Sequence, residues 1–214
     1  MPFIADRDLI TLHPPLFREV SYLSQTLFRG IAKVQGGQVM AISGTFSAAV
    51  KPGHVVQLGE IALEIIAVVN STTLNVSMPR SDATAAVIAP ADTGNLTATI
   101  ATFDPQIGVV HAQVLRMLGL EPSQGMIDES SPGEASVLNP RDLAPVEAMG
   151  VLHLIYTSAA APLGDGNTLA ARAEHYRDRF AQERWRARAI IDTDGDGRAD
   201  AVRSMSVGTL RRGA

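Results

Sequence analysis

Pro14-Pro15-Leu16-Phe17-Arg18-Glu19-Val20-Ser21-Tyr22-Leu23-Ser24-Gln25-Thr26-Leu27-Phe28-Arg29-Gly30-Ile31-Ala32-Lys33-Val34 is the passage on which the fold turns. The two prolines supply a helix start, since proline is tolerated where the first amides of a helix have no partner. Leu16, Val20, Leu23, Leu27, Ile31 and Val34 then recur at spacings of three and four, one apolar stripe over about five turns. The spacing predicts a helix that ends at Gln35-Gly36-Gly37.

Downstream the character changes. Between Gln38 and Phe103 beta-branched residues and glycine punctuation dominate and charges are scarce. Lys51-Pro52-Gly53 reads as a turn before the strand His54-Val55-Val56-Gln57-Leu58. Ile61 to Val69, the turn Asn70-Ser71-Thr72 and Thr73-Leu74-Asn75-Val76-Ser77 read as a hairpin. Leu96, Ala98 and Ile100 alternate with Thr97 and Thr99. Short strands at this spacing imply a small barrel or sandwich.

Three further helices follow. Asp104-Pro105 is an N-cap and N1 proline ahead of Ile107, Val110, Val114 and Met117, with Gly119 as C-terminal cap. Asn139-Pro140 opens an alanine-rich helix through Val146, Met149, Leu152 and Ile155, broken at Gly164-Asp165-Gly166-Asn167. Leu169, Ala173, Tyr176 and Phe180 mark the last helix. Ala187 to about Leu210 reads as a hairpin around a Gly-Asp-Gly turn. The expected fold is therefore α+β. A four-helix bundle takes its first helix from residues 1–36, a small β-barrel or sandwich is inserted over 37–103, the remaining helices occupy 104–186, and a C-terminal hairpin and tail occupy 187–214.

Composition excludes several classes. The 214 residues are 46% hydrophobic and 19% charged, which argues for a packed core rather than disorder. Cysteine is absent, so disulfides and thiolate metal sites are ruled out. No apolar run reads as long enough to span a bilayer, and the N-terminus lacks the pattern of a secretion signal. The net charge of −4 is uneven: residues 172–214 hold ten arginines against seven acids, a net of +3, which leaves −7 on the rest. A basic end on an acidic body suits contact with an acidic partner or nucleic acid, and equally a solvated helix face with i,i+4 pairs.

The organisation resembles the head–tail adaptors, or neck connectors, of long-tailed phages and gene transfer agents. The resemblance rests on Asp8-Leu9-Ile10-Thr11, on Thr102-Phe103-Asp104-Pro105-Gln106-Ile107, on the alanine-rich third helix, and on the ending Arg188-Ala189-Ile190-Ile191-Asp192-Thr193-Asp194-Gly195-Asp196-Gly197-Arg198-Ala199-Asp200. It extends in organisation over nearly the whole chain, whereas the simplest family members lack a β insertion. It implies a structural virion protein at the neck of the particle, assembled in the bacterial cytoplasm. Its partners would be the portal protein, neighbouring copies in a ring, commonly of twelve, and a tail-side neck or stopper protein. DNA would pass as non-specific cargo, and no membrane is involved. The terminal hairpin and the tail ending Arg211-Arg212 are then candidates for contact with a neighbour or with the portal. Arg184, Arg186 and Arg188 join Arg211 and Arg212 as candidate partner-binding residues.

The chemistry visible in the sequence is limited to one turn. Asp192, Asp194 and Asp196 stand at positions one, three and five of a calcium loop, with Asp200 at position nine. Position twelve is Arg203, where an EF-hand places a bidentate acid, and no helix pattern follows. The same residues serve a tight hairpin turn, which favours aspartate and glycine. Calcium, as a structural clip, is the one cofactor these residues suggest. The five histidines are dispersed, and there is no GxSxG, phosphate loop or dinucleotide fingerprint. The expectation is a structural protein and not an enzyme. The competing reading is a calcium-dependent binding module whose barrel holds a ligand.

Overall fold

The computed structural model describes residues 2–121, 132–164 and 166–205. The chain divides into two compact units, one of residues Ile4–Pro105 and one of Gln106–Ala214 with Met1–Phe3.

The first unit is a closed antiparallel barrel with two short helices. Helix α1 spans Asp6–Leu12 and α2 spans Leu16–Glu19. The strands are β1 (Thr26–Gln35), β2 (Gln38–Ala41), β3 (Val55–Leu58), β4 (Ile61–Asn70), β5 (Thr73–Ser77) and β6 (Leu96–Ala101), closed in the order β1-β2-β5-β4-β3-β6. Closure needs two long strands that each serve two neighbours. The outer half of β1 pairs with β2 and its start with β6 (Gln35↔Gln38, Phe28↔Ile100), while β4 pairs with β3 and β5 (Leu63↔Val56, Ile65↔Val76). Phe28, Val34, Val39, Leu58, Leu63, Ile65, Leu74 and Ile100 fill the interior. Phe28 meets Phe46 edge-on at 4.7 Å. The barrel is thus a packed core rather than a container.

This overturns the expected four-helix bundle with an inserted barrel. The passage read as the first helix forms one helical turn at Leu16–Glu19 and then the strand β1. The helical stripe is not a buried face: Leu23 is 91% exposed and Ile31 38% exposed. The competing period of two decides instead, with Phe28, Ala32 and Val34 inward and Arg29 and Ile31 outward. Gly30 carries a second reason. A Cβ there would lie 2.7 Å from the Ser43 carbonyl oxygen and 2.8 Å from the Phe28 ring, so the close approach requires glycine, which a helix interior disfavours. The barrel therefore opens the chain and interrupts no bundle.

The second unit holds the three long helices among the described residues: α3 (Asp104–Met117, whose first two residues belong to the barrel unit), α4 (Pro140–Ala160) and α5 (Thr168–Arg186). By length and composition residues Pro140–Leu163 could cross a membrane, contrary to the sequence reading, but most of that apolar window is buried as a core helix. Gly150 is where the helices converge on α4, because a Cβ would stand 2.8 Å from Val110 on α3 and 3.0 Å from Phe180 on α5. Tyr156 and Tyr176 stack across α4 and α5 at 5.7 Å. Gly119, at φ +67°, ends α3 in a Schellman turn: Leu120 N–H donates to the Leu115 carbonyl and Gly119 N–H to that of Arg116.

Strands β7 (Arg188–Ile191) and β8 (Ala201–Ser204) form an antiparallel ribbon in register Ile190↔Val202. Its inner face buries Ala189, Ile191 and Met205. The outer edge of β7 is covered by residues 136–139: Leu138 N–H donates to the Ile190 carbonyl, Asp192 N–H to that of Ser136, and Ile190 N–H to Asn139 Oδ1. Arg203 Nη1 donates to the Leu118 and Gly119 carbonyls at 2.9 and 2.8 Å, which ties β8 to the C-terminal end of α3.

Candidate functional site

The β7–β8 turn assembles three of the four aspartates singled out from the sequence. One carboxylate oxygen each of Asp192, Asp194 and Asp200 lies within 4.8 Å of the others. The turn forms because Gly195 and Gly197 take φ of +79° and +82°, which frees their amides to point inward. Asp192 accepts both, Gly195 N–H at 2.7 Å and Gly197 N–H at 2.8 Å. Asp200 Oδ2 accepts the Thr193 amide and hydroxyl, each at 2.7 Å. These bonds hold both carboxyls below the usual carboxylate range: Gly197 N–H is the main cause for Asp192, and the Thr193 hydroxyl for Asp200. Asp196 stands apart from the group and accepts the Arg198 N–H at 2.7 Å. Asp192, Asp194 and Asp200 are the residues that could hold a cation. Calcium takes six to eight oxygens, so waters or carbonyls would have to complete the shell.

Three of the candidate arginines stand at the end of α5 and the start of β7. Arg184 covers the Phe180 ring at 5.7 Å and points Nη1 to Met117 Sδ at 3.7 Å. Arg186 is 3.6 Å from Glu183, and Arg188 donates to the Trp185 and Ala187 carbonyls. Arg211 and Arg212 lie outside the described residues. A groove of about 400 Å³ is lined by Val146, Ile190 and Val202 together with Asp142, Glu183 and Arg186. Val202 is 66% exposed. Among the described residues β7 is the one strand that pairs with β8.

Three buried charge clusters escaped the sequence reading. In the barrel unit, Glu64 on β4 receives Arg80 through Nε and Nη2 at 3.1 and 2.6 Å, and Arg7 Nε stands 2.9 Å away. Arg7 also donates to the Arg80 carbonyl, so this cluster clamps α1 and the 78–94 loop to the barrel wall. Asp6, His54 and Asp104 form the second cluster, each with one ligand atom within 4.8 Å of the other two. In the helical unit, His111 Nδ1 on α3 lies 2.8 Å from the fully buried Glu147 on α4, and its Nε2 lies 3.4 Å from Glu134. Glu64 and Glu147 had one legible signal each, an acid flanked by apolar residues within a strand or helix. Their partners come from distant parts of the chain, which spacing does not reveal.

Comparison of the chain with family models, with curated proteins and with solved structures finds no match.

Proposed function

We propose that this chain is a structural adaptor at the neck of a tailed-phage-like particle, with copies forming a ring between the portal and the tail-side neck proteins and leaving a channel for DNA. The role is one of assembly and not of catalysis. The observation that supports this reading is the β7–β8 ribbon. One edge is covered by residues 136–139, while β8 on the other side has β7 as its one strand partner among the described residues and carries the exposed Val202. An edge of that kind is a template for strand addition, and a ring repeats it around the axis, so a contact too weak for two molecules gains strength by multivalency. The heterologous contact of a closed ring would bury it in every copy. Deleting the gene in its producing strain and imaging the lysate by negative-stain electron microscopy tests the reading. DNA-filled heads and separate complete tails are expected, whereas intact joined particles overturn it.

A second reading, a calcium-dependent binding module, is favoured by the convergence of Asp192, Asp194 and Asp200. The filled barrel interior would leave ligand binding to the barrel surface. This reading requires a monomer whose melting temperature rises on addition of calcium and falls on chelation. A melting temperature indifferent to both excludes it.

A further inference from the structure

Asp6 opens α1 and is fully buried. Its Oδ1 accepts the Phe103 N–H at 2.9 Å, while its Oδ2, also buried, has no hydrogen-bond partner. A polar atom left in that condition costs free energy unless something neutralises the group. The Thr102 hydroxyl lies beside it and helps to offset the burial.

The charges around Asp6 are already committed elsewhere. His54, 2% exposed, directs Nε2 at Asp104 Oδ2 (3.2 Å), and Lys51 Nζ lies 2.5 Å from the same oxygen. On α1 itself, Arg7 is held by Glu64, and Asp8 Oδ2 accepts the Ala5 N–H at 2.8 Å. Arg80, on the loop after β5, is likewise spent on Glu64. Asp6 therefore faces an ionised carboxylate whose two partners, the Lys51 ammonium and the His54 Nε2, both point at Asp104 and not at Asp6.

A cation or a proton could relieve this arrangement. His54 Nδ1 accepts the Lys51 N–H at 3.4 Å, which places the ring proton on Nε2, so the nitrogen facing the cluster has no lone pair for a metal. The Lys51 ammonium already occupies the cation position at Asp104. We propose that Asp6, beside Asp104, is a proton-binding site that fastens α1 to the barrel while the proton is bound and loosens it when the proton leaves. Desolvation pushes the Asp6 carboxyl up to about 7. The His54 hydrogen bond, helped by Lys51, takes Asp104 down to about 2. The two carboxyls thus divide the roles of proton carrier and permanent anion. The inference concerns the barrel unit alone and does not depend on the adaptor reading.

The test uses the full chain labelled with carbon-13. The Asp6 side-chain carboxyl signal, assigned by its loss in Asp6→Asn, is followed from pH 4 to 9, and hydrogen exchange of the Leu9 and Ile10 amides is measured in parallel. The expected Asp6 midpoint is about 7. After correction for intrinsic exchange, the opening constant of α1 should rise about tenfold per pH unit between pH 5 and 7 and then level off, because the open form releases a proton the closed form holds. Asp6→Asn keeps an acceptor for Phe103 N–H but cannot ionise, so its opening constant should not follow pH. An Asp6 midpoint below 5, a wild-type opening constant that ignores pH, or an unchanged pH dependence in Asp6→Asn overturns the proposal. Should Asp6→Asn fail to fold, the signal is assigned through Phe103 and the wild-type titration decides alone.

Discussion

Replacing His111 by leucine strands the Glu147 carboxyl without its hydrogen-bond partner in the core of the helical unit. Glu147 is fully buried, its Oε2 is 2.8 Å from His111 Nδ1, and its Oε1 has no hydrogen-bond partner. Removing one partner of a buried hydrogen bond costs about 1–3 kcal/mol, because the group left behind keeps its desolvation penalty and loses its partner. About 1 kcal/mol of packing goes with it, since Phe3 meets the His111 ring edge-on at 4.7 Å. Glu147→Met is milder, at about 1–2 kcal/mol, because His111 still has the Glu134 carboxylate 3.4 Å away. The double variant removes both polar partners together, and apolar replacement of a whole buried polar pair is often near neutral. It should therefore be more stable than His111→Leu alone. Urea unfolding at pH 7, read by circular dichroism at 222 nm, reports on this unit, which holds the three long helices among the described residues. Equal m-values license the comparison. A double variant as unstable as the sum of the two single variants would refute the reasoning.

Three other substitutions or titrations bear on the same framework. Gly150→Val forces a side chain into the 2.8 Å gap to Val110, and should cost about 2 kcal/mol after a small gain in helix propensity, read as a lowered melting temperature. Arg203→Ala removes the donor to the Leu118 and Gly119 carbonyls and should cost about 1–2 kcal/mol, with faster amide exchange at the end of α3; unchanged exchange there would show that β8 does not cap the helix. Stability against pH should be shaped from both sides by the barrel's two aspartates. Asp6, raised from 3.8 to about 7, contributes stability that is complete below pH 3.8 and lost as pH rises through 7, up to about 4 kcal/mol. Asp104, lowered to about 2, contributes stability present above pH 3.8 and lost as pH falls through 2. Thermal melts of wild type and Asp6→Asn from pH 4 to 8 should diverge in favour of the asparagine variant as pH rises, and parallel curves would contradict this.

Much of the secondary structure was legible because it depends on local chemistry. The hairpin from Ile61 to Ser77, the Asp104-Pro105 helix start and the Gly119 stop each follow from patterns within a few residues. The candidate sites were only half legible. The aspartate turn announces itself by spacing, although Asp196 stands outside the group that the fold assembles. Asp6, His54 and Asp104 are scattered over nearly half the chain, and only barrel closure brings them together.

By itself, the sequence determined where apolar periods begin and end, which turns need glycine, and that β-branched residues crowd the region before Phe103. It misled at residues 16–34, where a helical stripe through Leu23, Leu27 and Ile31 competes with a period of two through Phe28, Ala32 and Val34. The tertiary structure settled that choice through non-local pairing. β1 finds β2 on one side and β6 on the other, and the backbone bonds of a closed barrel outweigh a helical preference already weakened at Gly30. The buried charges follow the same logic: a residue's type fixes what it must pair with, and only the folded chain decides which distant residue provides the partner.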